Sequence, residues 1–445
     1  MATIKAFRGV RFSPHRISDL SLVVSQPYDR VRYGLQEEYH DLSPYNIVRV
    51  IRGKELPADV PGQLEGPSVY ARARAYYDLW RAEEVLVQEE KAALYVYHQT
   101  FTIDGETRTR KGFVAAFELS AFDKGIVLPH ERTHAGPKVD RLRLLRALQV
   151  NMGQIFMLYP DPENKVSATL DAVIAGREPD IDVVEMFESG VQQQLWVVSD
   201  QATIRAVQQE MAPKENLIIA DGHHRYETAL SYRDEMRTRH RDAPANAAFN
   251  YRMVGLVSMD DPGLVILPTH REVFDYPQVT GDEVLARIES TFEVIPVADL
   301  NECLAQMRTN EPRHAFGFYG DDNYNVLVLK RPDLIEQQIT EDRSPSWKSL
   351  DVSIAHKILL EGIVGLSEQA IENQANLRYH RDPLLAVQNV GSGKGNFVFL
   401  LNPTRVIQVK ACAEQGEKMP QKSTDFYPKM ITGLTMMPVG AQERI

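Results

Sequence analysis

Cysteine is nearly absent. The 445-residue chain has two, Cys303 and Cys412, with no paired spacing. That excludes a disulfide framework and fits a reducing cytoplasm. Long apolar runs are missing too: no stretch approaches a membrane span, and Met1 to Arg8 lacks the apolar run of a signal peptide. The expectation is a cytoplasmic protein with no membrane partner. There is no internal repeat and no low-complexity tract, which sets aside solenoids and disordered chains. An excess of positive charge is also lacking. Lys and Arg total 50 against 61 Asp and Glu, a net charge of −11. A surface of that sign repels nucleic acid, so a DNA role would need a local basic patch and nucleic acid is not the expected partner. Gly391-Ser392-Gly393-Lys394-Gly395 lacks P-loop spacing and reads as a hairpin turn.

What remains is an ordinary globular composition, 43% hydrophobic and 25% charged, long enough for two or three domains. Strand and helix patterns alternate irregularly, so the expected fold class is α/β or α+β, with mixed sheets and flanking helices. Leu94 to Ile103, Asp104-Gly105 and Glu106 to Leu119 read as a hairpin, because Asp-Gly between strands is a strong turn signal. Asn46 to Ile51 reads as a strand, as does Arg405 to Lys410, paired in a hairpin with Phe397 to Leu401. Arg331 to Trp347 reads as a linker or loop. The texture divides the chain into an N-terminal α/β region (1–93), a core (94–275) and a C-terminal α/β region with a basic tail loop (276–445).

The most informative stretch runs from Leu217 to Leu230. Leu217-Ile218-Ile219-Ala220 suits a short buried strand; Asp221-Gly222 breaks it; His223-His224-Arg225 follows, opening a helix that extends to about Arg239. Tyr226, Ala229, Leu230 and Met236 fit one helical face, interrupted by Arg233. Where a strand turns into a helix, outward N–H groups and the helix dipole favour an anion. Gly222, His224 and Arg225 add to such a phosphate site, and the Arg fork matches phosphate or carboxylate. Asp221 has two readings: a magnesium ligand, or an acceptor for a substrate hydroxyl or ammonium. Zinc is disfavoured, since adjacent helical histidines diverge and no Cys or third His lies close in sequence.

A second stretch, Pro129-His130-Glu131-Arg132-Thr133-His134-Ala135-Gly136-Pro137-Lys138-Val139-Asp140-Arg141, is bracketed by Pro and Gly-Pro and reads as a loop before a helix. Lys138 and Arg141 make it locally basic and offer phosphate donors. Glu131 is either a carboxylate able to take a hydroxyl proton or one half of a surface pair with His130. Tyr28 and Asp29 share a turn after Gln26-Pro27, where Asp29 is placed to cap the next turn. His270 and Arg271 end a strand, and Lys422, Ser423 and Thr424 lie in a basic, Pro-containing tail loop. The His-Arg pair by itself reads as a solvated strand end, and the tail loop either reaches phosphates or is a solvated surface loop.

Asp221-Gly222-His223-His224-Arg225 after a strand resembles the nucleotide-binding motif of the ParB/sulfiredoxin superfamily, most closely that of its free-serine kinases. Together with Ser25-Gln26-Pro27-Tyr28-Asp29, Pro129 to Thr133, Leu267-Pro268-Thr269-His270-Arg271 and Met419-Pro420-Gln421-Lys422-Ser423-Thr424 it identifies the chain as similar to the domain of unknown function 1015 family. The resemblance implies a ParB/sulfiredoxin-like core and phosphorylation of free L-serine to O-phosphoserine, with pyrophosphate, ADP or ATP as donor and Mg2+ as cofactor. It implies that Glu131 deprotonates the serine hydroxyl, that Asp221 and His223 share in catalysis, that His270 and Arg271 contact phosphate directly or from behind the site, and that His130, Tyr28 and Asp29 contact substrate. Alternatives are a nucleotide-bound regulator of the ParB kind and a nucleotide or pyrophosphate hydrolase. The residues carry no signal for an oligomeric state.

Overall fold

The computed structural model describes residues 2–131, 135–188 and 190–445, the side chains of Tyr33 and Ala135 excepted. Of the predicted loop signature, Arg132, Thr133 and His134 therefore lie outside the described residues. The chain forms two compact units: unit 1 holds Met1–Pro129, Thr133–Val265 and Pro428–Ile445, and unit 2 holds His130–Arg132 and Ile266–Tyr427.

Unit 1 is built on a mixed nine-stranded sheet. In chain order its strands are β1 (Ile4–Lys5), β2 (Leu94–Ile103), β3 (Glu106–Glu118), β4 (Val127–Pro129), β5 (Ile155–Tyr159), β6 (Ile181–Val184), β7 (Val191–Val198), β8 (Leu217–Asp221) and β9 (Tyr251–Ser258). They lie in the order β4-β8-β5-β9-β3-β2-β7-β6, with β1 on β3. The β2–β3 hairpin forms as predicted, with Asp104 and Gly105 both at positive φ (51° and 78°), which suits a tight hairpin turn. Two pairs, β8–β4 and β9–β5, are parallel; their neighbours are antiparallel. Alternate residues Leu217 and Ile219, Ile155 and Met157, Val254 and Leu256 enter one buried cluster. Tyr226 and Ala229, with Val207, Met211 and Leu170 from other helices, close over it. A second cluster gathers Val50, Ile51, Tyr77, Trp80, Leu144, Leu148 and Met152.

Unit 2 carries a six-stranded antiparallel sheet whose strands are β10 (His270–Val273), β11 (Phe292–Val297), β12 (Ala315–Gly320), β13 (Asn323–Leu329), β14 (Leu377–His380) and β15 (Phe397–Leu400). Their order is β11-β13-β12-β15-β10-β14. Cys303 and Cys412 are both buried and free in this unit. The mixed α/β class is thus the one anticipated. No helix among the described residues is long and apolar enough to cross a membrane.

Four local readings need correction. Asn46 to Ile51 is not a strand: Val48–Ile51 forms a short helix. The buried Asn46 side chain accepts from Val48 N–H (3.0 Å) and donates to the Leu22 and Val24 carbonyls (2.8 and 3.2 Å), so tertiary bonds override the β-branched run. Arg405 to Lys410 is likewise helical, within Val406–Glu414, which buries Val409, Cys412 and Ala413 at helical spacing. β15 pairs with β12 and β10 instead. Gly391 to Gly395 is not a hairpin turn but the end of the helix Pro383–Gly391 and the turn beyond it. The linker Arg331 to Trp347 contains the helices Asp333–Gln338 and Pro345–Lys348.

Candidate functional site

β8 runs directly into the helix α1 (His223–Arg239), as the apolar run and the following polar break required. The β8–β5 register shifts between Ile219 and Asp221, an irregularity of the kind that re-aims a side chain at a strand end. Gly222 occupies the N-cap at φ 99°, a conformation that costs an L side chain energy, and a Cβ there would lie 3.0 Å from the Arg225 guanidinium. Glycine is needed for both reasons.

Asp221 is 21% exposed at its side chain and faces two cations. Arg225 Nη2 donates to Oδ2 at 2.5 Å, and Lys429 Nζ stands 3.5 Å from Oδ1. Burial alone would raise this carboxyl, but Lys429, Arg225, His223 and Arg30 outweigh it and hold it far below the usual carboxylate range. The expected magnesium role does not fit this arrangement. Each oxygen already faces a cation, so a divalent ion bound there would meet an ammonium and a guanidinium at close range.

Arg225 also donates from Nη1 to the Gln154 carbonyl (2.6 Å), and its Nε is buried without a partner. Lys138 and Arg141 sit on the helix Ala135–Leu148 rather than in the predicted loop. Pro137 is tolerated there because the first helical turn requires no intrahelical N–H. Lys138 is committed to Glu227 at 2.6 Å. Arg141 pairs with Asp140, donates to the Ile51 carbonyl (2.7 Å) and stacks over the Tyr28 ring at 4.2 Å. Burial raises the Tyr28 hydroxyl, against the lowering effect of Arg225. Asp29 is exposed and makes no hydrogen bond among the described residues, so it caps no turn.

His223 and His224 open α1 in unit 1, whereas His130, Glu131, His270, Arg271, Lys422, Ser423 and Thr424 belong to unit 2, and several of these meet. His130 is fully buried, with Nε2 2.9 Å from Thr424 Oγ1. Thr424 Oγ1 in turn donates to Glu131 Oε1 at 3.3 Å, while Glu131 remains 34% exposed at its side chain. A threonine hydroxyl that donates to Glu131 can also accept from His130 Nε2 when that nitrogen carries its hydrogen. The His130 carbonyl accepts from Met419 N–H (2.8 Å), and Ser423 Oγ donates to the Pro420 carbonyl (2.6 Å). Lys422 adopts φ 55°, and its carbonyl accepts from Arg271 Nη2 at 3.0 Å. Arg271 is fully buried; its guanidinium lies over Tyr379 and 3.4 Å from His356 Nε2. His356 is held neutral by burial, consistent with the structural role its apolar surroundings suggest. His270 accepts from Leu401 N–H through Nδ1, and burial lowers it to about 3. His270 and Arg271 are therefore core groups of this unit, not a solvated strand end.

Two cationic residues escaped the sequence reading. Lys429 lies just beyond the tail-loop motif, and Arg252 stands at the start of an apolar strand. A lone arginine in Tyr251–Ser258 was the available signal for the latter.

No curated protein matches the chain. Among solved structures, the chain is similar to a conserved hypothetical protein from Pyrococcus furiosus (12% identity, 69% of this chain and 92% of that one, TM-score 0.32). It is similar to a free serine kinase in complex with AMP (13% identity, 69% and 89%, TM-score 0.34). A third likeness is to SbnI with C-terminal truncation from Staphylococcus aureus (9% identity, 73% and 87%, TM-score 0.34). The family model described as protein of unknown function (DUF1015) matches residues 4–353, most of the length of the chain. The chain therefore belongs to the DUF1015 family.

Proposed function

We propose that this protein is a phosphotransferase that phosphorylates a small hydroxylated metabolite, L-serine foremost, with pyrophosphate, ADP or ATP as donor. The observation that carries the reading is the junction at Asp221-Gly222-His223: a side-chain-free N-cap on a 17-residue helix, with Arg225 and Lys429 beside it. Outward N–H groups, the helix dipole and fixed cations together form a setting for phosphate. The motif's resemblance to that of free-serine kinases supports L-serine as the acceptor.

In this reading Gly222, His223, His224 and Arg225 hold the donor phosphates. Asp221, kept ionised, fixes Arg225 and Lys429 in place. Glu131 accepts the proton of the serine hydroxyl while its oxygen attacks the terminal phosphorus. The bond to the leaving group breaks, releasing phosphate, AMP or ADP according to the donor. Thr424 orients Glu131, and His130 orients Thr424. Phosphoryl transfer asks mainly for positioning and charge stabilisation, which these residues supply. Magnesium belongs with the polyanionic donor in this scheme.

Phosphorus NMR of the purified protein with magnesium, L-serine and each donor in a separate tube tests the proposal. A phosphoserine signal in one tube is expected and would name the donor. Folded protein that yields free phosphate alone would make it a hydrolase, and no turnover in any tube would remove the serine-kinase reading.

A further inference from the structure

Arg252 belongs to none of the sequence motifs, yet the fold buries it on the same cavity as Arg225. It occupies the second position of β9 and is 5% exposed. Its Nη2 donates to the Gly153 carbonyl at 2.7 Å, its Nε has no partner, and no carboxylate pairs with it among the described residues. Arg225 presents a second buried, unpartnered Nε. Burial first, and then the neighbouring Arg225 charge, lower the Arg252 guanidinium to about 9. Arg225 has the Asp221 carboxylate as its counter-charge; Arg252, buried beside the Arg225 charge, has none, and in a low-dielectric setting it calls for an anion.

The cavity they line has a volume of about 60 Å³. Tyr28 and Arg141 line it as well, and Leu144, Leu145 and Leu148 make its wall apolar. One water needs roughly 10–15 Å³ by this measure, so the space admits a group of a few heavy atoms. A planar carboxylate on a short stem matches the guanidinium edge, the apolar wall and the volume together. A hydrated polyphosphate matches the guanidinium edge but neither the apolar wall nor the volume.

We infer that this cavity binds the carboxylate of the phosphoryl acceptor through Arg252, with Arg225 at its edge, so that the acceptor is a small hydroxy or amino acid rather than a sugar or a neutral alcohol. The word acceptor rests on the phosphotransferase reading; carboxylate binding needs no donor and is tested without one.

Isothermal titration of the full chain compares two matched pairs, L-serine with serinol and D-glycerate with glycerol, in which hydroxymethyl replaces the carboxylate. Inorganic phosphate is the fifth ligand. At least one acid is expected to bind about tenfold or more tightly than its neutral counterpart. Arg252→Met should remove that preference, and Arg252→Lys should restore part of it. Equal affinity for acid and alcohol, no heat from either acid, or an Arg252→Met protein that keeps the preference would overturn the inference. So would phosphate binding that is tighter than either acid and depends on Arg252. If Arg252→Met does not fold, the wild-type pairs still decide. Acid preference without phosphoserine in the NMR experiment would keep the cavity and remove the kinase; phosphoserine without acid preference would do the reverse.

Discussion

Glu131 and Asp221 are both carboxylates in named motifs, but their surroundings give them opposite work. Glu131 is partly exposed and accepts from the Thr424 hydroxyl, a setting in which a carboxylate can take a proton; Asp221 is clamped by cations and cannot usefully do so. Glu131→Gln is expected to lower phosphoserine formation by about 100-fold or more with an unchanged melting curve, the range for loss of a general base. Asp221→Asn should instead destabilise unit 1 by about 3 kcal/mol at pH 7, because it leaves buried cations uncompensated. The sign with pH follows from the lowered carboxyl. Its stabilisation is complete above the unfolded value near 4 and is lost as pH falls through the lower folded value. Denaturant midpoints of wild type and Asp221→Asn should therefore converge as pH drops below about 4. A gap that stays constant would mean that Asp221 acts through shape rather than charge.

Among the elements, the β8–α1 junction was legible because everything that makes it is local: four apolar residues, a glycine where positive φ is required, and a helical stripe. Gly222→Ala is expected to cost about 1–3 kcal/mol in a denaturant titration, the strain of a non-glycine residue at that φ plus the push on Arg225. The residues 46–51 were misread for the opposite reason. Ile47, Val48, Val50 and Ile51 favour a strand by propensity, and the helix depends on bonds from Asn46 to carbonyls more than twenty residues away. Asn46→Ala should destabilise by about 1–2 kcal/mol, measured the same way; a smaller effect would return the helix to local causes. Arg405 to Lys410 failed as a strand because the reading stopped short of Cys412 and Ala413, which complete the helical spacing.

For the molecule as a whole, burial sets the acid limit. His40 and His98, both in unit 1, are lowered to about 4 by desolvation first, with lesser contributions from nearby charges. Folded, they stay neutral through pH 5; unfolded, they carry protons below about 6.5. Stability from these groups is thus intact above that value and lost as pH falls through the folded one, and unfolding of unit 1 at pH 5 should take up about two protons. The slope of unfolding free energy against pH measures this, and a flat profile between pH 5 and 7 would contradict it.

The amino-acid sequence by itself determined the mixed α/β class, the hairpin at Asp104-Gly105, the strand-turn-helix at Asp221-Gly222 and the family, because each depends on neighbours within a few residues or on motifs in fixed order. Tertiary structure alone decided that Lys138 is spent on Glu227 and that Asp221 faces Arg225 and Lys429. It also decided that Tyr28, Arg141, Arg225 and Arg252 line one cavity. Those four come from a turn, two helices and a strand spread over more than two hundred residues. Only closure of the sheet and its covering helices brings their charges within reach of one another, and no periodicity or spacing in a single segment encodes that distance.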